Sequence, residues 1–238
     1  MQTDALLRED HHVHSTFSDG RSTLEENIAQ AEQVGLTRLG CVDHVRADTT
    51  YHPDYAAVVR ALRLKTPVSL SIGIEAKILD ADGRLDLPAG LEAIDVIYAA
   101  DHQFPWPGGP RSPREVKADL ANGASATRCI ETLVRATIAA MRRNRTHPLV
   151  LAHVFSILPK VGLSEDQVPD ELLAELASAA GDTGTVVEIS ERWRCPSLRT
   201  LQAVRAAGAA IVCSTDSHLA TGIGRYDYVR STLQALAP

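Results

Sequence analysis

The sequence predicts an α/β fold: a distorted, TIM-like (β/α)7 barrel forming a single domain over residues 1–238. Three observations predict it. Short apolar runs rich in β-branched residues alternate with longer segments of helical period, about seven times along the chain. No composition break, repeat or low-complexity tract divides them, and 238 residues suffice for one large core. Alternating strands and helices imply a parallel sheet with right-handed crossovers, and this many units in this length favour a closed barrel over an open doubly wound sheet.

The elements follow in order. The first strand ends at His12-Val13-His14. Ser22-Thr23-Leu24-Glu25 reads as a capping box that opens a helix to about Val34, stopped by Gly35. A strand over residues 37–43 and a helix over 53–65 come next, then a third strand over 68–75. Residues 78–85 read as a hairpin around Asp82-Gly83. A fourth strand covers 94–99, a mainly helical stretch 125–143 and a fifth strand 149–152. Ser164 and Gln167 form a second capping box for a helix over 164–180. The sixth strand covers 185–189, a helix 196–207, the seventh strand 209–213, and a last helix closes the chain.

Composition excludes several classes of function. Net charge is −6, aromatics are sparse, and no Lys/Arg run is interleaved with them, so long nucleic acid is not an expected partner. A small anionic substrate is compatible, because bound metal ions add positive charge that the formal count omits. No apolar stretch is long enough for a membrane span. MQTDALLRED lacks the pattern of a signal peptide, which predicts a cytoplasmic protein without membrane partners. Cys41, Cys129, Cys195 and Cys213 are scattered without a CxxC pair, as reduced thiols would be.

The chemistry lies in the histidines. EDHHVHSTFSDG, residues 9–20, holds three of the nine in the chain, with three acids and no Lys or Arg. Placed on the barrel, His12 and His14 end the first strand and Asp19 lies in its loop. His44 follows the second strand, Glu75 ends the third, His102 follows the fourth, His153 ends the fifth, and Asp216 and His218 follow the seventh. Barrel enzymes carry their sites at this C-terminal rim. The period of two puts the rings of His12 and His14 on one face, whereas His11, out of phase, points away. His52 and His147 fit no such pattern. Imidazoles with carboxylates and no thiolates suit zinc, manganese or iron in an open, catalytic site. Six histidines, two aspartates and one glutamate exceed the roughly four to six ligands of one ion, so two to three divalent ions are expected.

The order His-x-His, Asp, His, Glu, His, His, Asp-x-His resembles the PHP (polymerase and histidinol phosphatase) superfamily of metal-dependent phosphoesterases. The residues that carry the resemblance are Asp10 to Ser15, Ser18-Asp19-Gly20, Val42-Asp43-His44, Gly73-Ile74-Glu75, His102, His153 and Ser214 to His218. They span almost the whole chain, and no ligand position is lost. His11 and Asp101 depart from the family's usual residues. The resemblance implies one ion on His12, His14, Glu75 and Asp216, and a second sharing Glu75 with His102 and His153. It implies a third on Asp19, His44 and His218. Glu75 and Asp216 are the expected catalytic carboxylates. Glu188 falls outside the set and reads as a support or a pocket wall, and Asp101 as a candidate support for His102.

The reaction so implied is hydrolysis of a small-molecule phosphate monoester by attack of a metal-bridging hydroxide on phosphorus. Histidinol phosphate, nucleoside monophosphates, nucleotide bisphosphates and sugar phosphates are all open as substrates. No nucleophile elbow or P-loop competes, and Gly222-Ile223-Gly224 reads as a turn. Arg192 and Arg46 are the leading phosphate contacts, ahead of Arg21 and Arg194. The segment 103–111 could cover a substrate with Trp106 or be a rigid connection with Trp106 packed on the barrel, and Trp193 reads as a pocket wall or core. The rival readings are a metal amidohydrolase cleaving C–N or C–O bonds, a polymerase-associated or exonuclease domain, and a noncatalytic metal-binding domain.

Overall fold

The computed structural model describes residues 2–237. Its strands are β1 (Glu9–Val13), β2 (Arg38–His44), β3 (Ser69–Lys77), β4 (Val96–Ala100), β5 (Phe104–Trp106), β6 (Gly109–Arg111), β7 (Leu149–Ala152), β8 (Val186–Ser190) and β9 (Ile211–Ser214). Its helices are α1 (Gln2–Leu6), α2 (Leu24–Gln33), α3 (His52–Leu62), α4 (Pro113–Ala121), α5 (Ala126–Arg143), α6 (Asp170–Thr183), α7 (Leu198–Ala206) and α8 (Tyr228–Leu236).

Seven strands form one parallel sheet in the order β1-β2-β3-β4-β7-β8-β9. The sheet curls until its edges meet: Val13 bridges to Ser217, and the His14 amide donates to the Ser217 carbonyl at 2.9 Å. The result is a nearly closed (β/α)7 barrel. Alternate strand residues face opposite ways. Leu39, Cys41, Ile72, Ile74, Ile97, Leu151 and Val187 pack outward into the main core with the helices. Val42, Tyr98, Ala100, Val150 and Ala152 form a separate cluster inside the barrel. Glu75 pairs in register with Tyr98 and so shares the inner face. Gly40 is required where β1 bulges between Asp10 and Val13: a Cβ there would stand 2.0 Å from the His11 carbonyl oxygen.

Several local expectations need correction. The first capping box is one residue later, with Thr23 as the cap and Glu26 as its partner. Ser22 instead accepts from the Ala220 amide at 3.0 Å. The Ser164–Gln167 box forms, but it closes only a short 3₁₀ turn over Glu165–Gln167. Pro169 forces Val168 into an extended conformation, and α6 begins at Asp170. Helix α4, with a Ser112–Glu115 box, was not anticipated, nor was α1. Residues 103–111 form a short β5–β6 hairpin, in which Phe104 pairs with Arg111.

Candidate metal centre

Each strand end delivers its side chain to one rim. The nine residues expected as ligands form a connected cluster there, organised by two carboxylates. Glu75, on the inner face of β3, is 1% exposed. Its Oε1 lies 3.1 Å from His102 Nε2 and 2.9 Å from His153 Nε2. Its Oε2 lies 2.9 Å from His44 Nδ1, 3.5 Å from His12 Nε2 and 3.6 Å from His14 Nε2. Asp19, exposed in the loop after β1, is the second hub. Its Oδ1 is 3.2 Å from His218 Nε2, 3.4 Å from His44 Nε2 and 3.8 Å from His14 Nδ1. Asp216 Oδ1 lies 3.1 Å from His14 Nε2.

Three overlapping groups have ligand atoms all within 4.8 Å of one another: His12, His14 and Asp216; His44, Glu75 and His102; and His14, Asp19, His44 and His218. They overlap the expected sets only in part: Glu75 groups with His44 and His102 rather than with His12, His14 and Asp216, His14 also joins Asp19, His44 and His218, and His153 falls in none of the three. The donor set also fits cations on a physical test. His12 Nε2, both ring nitrogens of His14, Glu75 Oε2 and Asp216 Oδ1 are buried without a hydrogen-bond partner. A buried polar atom left unpaired costs about 1–3 kcal/mol, and five at one point are explained if each donates to a metal.

The electrostatics follow from burial among opposite charges. Burial works to raise the Glu75 carboxyl, but His102 and His12 hold it well below the carboxylate range. Burial opposes a charge on His12, and Glu188 and Glu75 reverse this and push it well up. His14 is lowered to about 4, chiefly by burial. Against burial, His153 is raised to about 10 by its contacts with Asp101 and Glu75. Two of the cluster's residues have strained backbones, His153 at φ 32° and Asp216 at φ 49°. Non-glycine residues hold such angles where surrounding structure over-determines them.

Behind the cluster stands a set of buried acids. Glu188 accepts from His12 Nδ1 at 2.9 Å and from Ser214 Oγ at 2.5 Å, which leaves His12 Nε2 free to face the cluster. Asp101 supports His153 rather than His102: it accepts from Ser156 Oγ at 2.7 Å, and Ser156 Oγ meets His153 Nδ1 at 3.0 Å. Asp43 accepts from the Ser15 amide at 3.0 Å, from Ser15 Oγ at 2.5 Å and from Ser18 Oγ, pinning the loop that carries Asp19. Asp10 accepts from Thr215 and Gly224 and pins the loop that carries Asp216 and His218. The sequence reading gave no role to Asp10 or Asp43. For Asp43 the available signal was an acid after the apolar run of β2, which needs partners when buried; Asp10, in the polar strand Glu9–Val13, offered no such contrast. His11 does point away, its Nε2 2.7 Å from Glu9.

Two clefts open onto the cluster and share Asp19. One, about 530 Å3, is lined by His44, Glu75, His102, Arg46, Lys77 and Lys160. The other, about 730 Å3, is lined by Asp216, His218, Arg21, Arg192 and Arg225 among others. Arg46 and Arg192 are therefore at the rim, as expected. Arg192 also donates to the Asp216 carbonyl at 3.2 Å and to His218 Nδ1. Trp193 lines a third cleft, of about 480 Å3, with Lys160, Arg192 and Arg194; its Nε1 donates to Asp216 Oδ2 at 2.6 Å, and its ring lies 5.6 Å from that of His153. Lys160, which sequence reasoning missed, stands 4.3 Å over the Trp193 ring. Trp106 takes the second of its two expected places, while Gln103 at the start of the same segment lines the smaller cleft. It packs against the main core from β5 and lines none of these clefts, because the hairpin folds onto the barrel. Arg194 lies over Tyr228, 5.5 Å from its ring centre.

Residues 10–192 match the family model described as the PHP domain. A probable phosphatase of Pectobacterium carotovorum is 27% identical over 237 residues, covering 94% of this chain and 84% of its own. A probable phosphatase of Clostridium acetobutylicum is 26% identical, covering 95% of this chain and 85% of its own. Among solved structures, the histidinol phosphate phosphatase of Lactococcus lactis, complexed with zinc, L-histidinol and phosphate, superposes with a TM-score of 0.69 at 16% identity. The match covers 96% of this chain and 91% of that one.

Proposed function

This chain belongs to the PHP domain family, and from that membership and the cluster's geometry we propose that it is a metal-dependent phosphatase hydrolysing a small-molecule phosphate monoester. The observation that carries the reading is the group of buried imidazole nitrogens and carboxylate oxygens that face one another at one rim without a hydrogen bond. Two to three divalent ions, zinc, manganese or iron, would sit on His12, His14, Glu75 and Asp216, on Glu75, His102 and His153, and on Asp19, His44 and His218. When bound, they supply a low pKa for coordinated water and neutralise charge on the phosphoryl oxygens.

The chain's own residues prepare that chemistry. Glu75 and Asp216 are held ionised, Asp216 by His14 and His12 against the effect of burial. Glu188 accepts the hydrogen bond from His12 Nδ1, which leaves Nε2 turned toward the cluster to donate a lone pair to a bound ion. The chain of His153 Nδ1, Ser156 Oγ and Asp101 presents His153 Nε2 in the same way. Arg192, Arg46 and Lys160 place positive charge around the cluster for the remaining phosphate oxygens. Trp193 and the strand side chains close its floor against solvent.

The test is phosphate release from a panel of esters, including p-nitrophenyl phosphate, with added manganese or zinc and with amide substrates as the control. Release from at least one ester, dependent on metal, supports the reading. Amide hydrolysis with no phosphate release turns it toward the amidohydrolase alternative, and no turnover with full metal loading toward a noncatalytic domain.

A further inference from the structure

Of the seven barrel strands, β8 alone leads to no expected ligand, yet it reaches the cluster twice. Glu188 accepts from His12 Nδ1. Trp193, in the loop between β8 and α7, donates from Nε1 to Asp216 Oδ2. An indole N–H only donates, so the two oxygens of Asp216 have different surroundings. Oδ2 is held by the indole. Oδ1 lies 3.1 Å from His14 Nε2 and is buried without a hydrogen bond. The loop that carries the indole is tied down along its length. The Ser190 amide donates to the Cys195 carbonyl and the Glu191 amide to the Ser214 carbonyl, each at 2.9 Å. The Glu191 side chain accepts from the amides of Tyr228 at 3.0 Å and Val229 at 2.9 Å, and the Ser197 amide donates to Glu165 at 2.8 Å. The ring itself lies against His153 on the barrel side, and Lys160 Nζ stands over its face. One rigidly mounted side chain therefore touches expected ligands from two other strands.

We propose that Trp193 is a positioning residue for the metal centre: by holding Oδ2, it presents Asp216 to a bound ion through Oδ1 alone. This rests on the metal-dependent reading above. A carboxylate that ligates through one oxygen leaves open a coordination position that a two-oxygen ligand fills, and a hydrolytic centre needs an open position for water or substrate. The hydrogen bond also sets the direction of the carboxylate before an ion arrives, so less ordering remains to be done on binding. Asp216 has particular need of such a partner, since its backbone is held at φ 49°.

The test reads zinc binding apart from turnover. The metal-free full chain is titrated with zinc against a chromophoric indicator, as wild type and as Trp193→Phe, which keeps a ring and loses the donor. Trp193→Phe is expected to lower zinc affinity by about 10–100-fold. In an Asp216→Ala background the same change is expected to alter affinity for the remaining ions by no more than about twofold, because its effect runs through that carboxylate. A purely structural role costs the same in both backgrounds. The native side chain is read as well. The only other tryptophan is Trp106, so in Trp106→Phe protein the indole emission comes from Trp193, and zinc is expected to shift or quench it. Unchanged zinc affinity in Trp193→Phe, an equal loss in both backgrounds, or Trp193 emission unaltered by saturating zinc overturns the proposal. Less than one ion per wild-type chain fails the metal centre itself. If the affinity loss runs through Asp216 but the wild type hydrolyses no ester, the phosphatase reading fails and the role of Trp193 stands.

Discussion

Asp10 on β1 and Thr215 beyond β9 are joined by two hydrogen bonds across the closing seam of the barrel, 2.9 Å to the Thr215 amide and 2.6 Å to its hydroxyl. The same carboxylate accepts from the Gly224 amide at 3.1 Å. The acid is thus a staple, and the two residues it holds, Thr215 and Gly224, bracket the loop that carries Asp216 and His218. Asp10→Ala leaves those donors buried without an acceptor, which costs about 1–3 kcal/mol for each unmet group. Denaturant unfolding is expected to show a loss of that size or more, with a lowered metal content in the folded variant.

The cluster itself is tested by His14→Ala and Asp216→Ala. Each removes a buried cluster atom that has no hydrogen-bond partner in the fold, and Asp216→Ala also removes the acceptor of Trp193 Nε1. Turnover of p-nitrophenyl phosphate is expected to drop by about a thousandfold, the upper range for losing one preorganised electrostatic partner. Circular dichroism is expected to show an intact barrel. Full activity in either variant contradicts the proposed centre.

Asp101→Asn separates support from ligation. It weakens the acceptor for Ser156, which orients His153. Loss of such an outer partner typically lowers metal affinity by about 10–100-fold. Competition with a metal indicator is expected to find a loss in that range while saturating metal restores most of the rate.

Stripping the ions leaves buried polar atoms unpaired, so metal binding and folding are coupled. Thermal unfolding with and without chelator is expected to show a lower midpoint in chelator. Free metal at about one hundred times Kd adds roughly 2.7 kcal/mol per site. An unchanged midpoint argues against ligation by this cluster.

The four thiols are all buried and free. Burial pushes both Cys41 and Cys213 up to about 12. The unfolded chain, with ordinary thiols, then loses these protons first. Stability is therefore undiminished below about pH 9 and falls as pH rises from there to 12, by roughly 1.4 kcal/mol per thiol per unit. At pH 8 the folded protein is expected not to react with a thiol reagent, and all four thiols to react once it is unfolded.

Periodicity and β-branched runs specified seven strands within a residue or two, because strands buried on both faces read as continuous apolar segments. Helix starts were less legible. Thr23 and Ser22 both offer a hydroxyl, and only the packing of α2 selects Thr23. Pro169 should have cut the predicted 164–180 helix, since the residue before a proline resists the helical region.

The candidate ligands were legible because metal chemistry restricts residue types and barrel geometry restricts where they fall. By itself, the sequence determined the alternation of elements and the rim on which His12, His14, Glu75 and their partners gather. Only the tertiary structure decided what stands behind them. Asp10 reaches Thr215 across 205 positions, and Glu188 reaches His12 across 176. A buried carboxylate becomes a staple or a support only through the donors that folding brings to it, and those donors carry no local pattern along the chain.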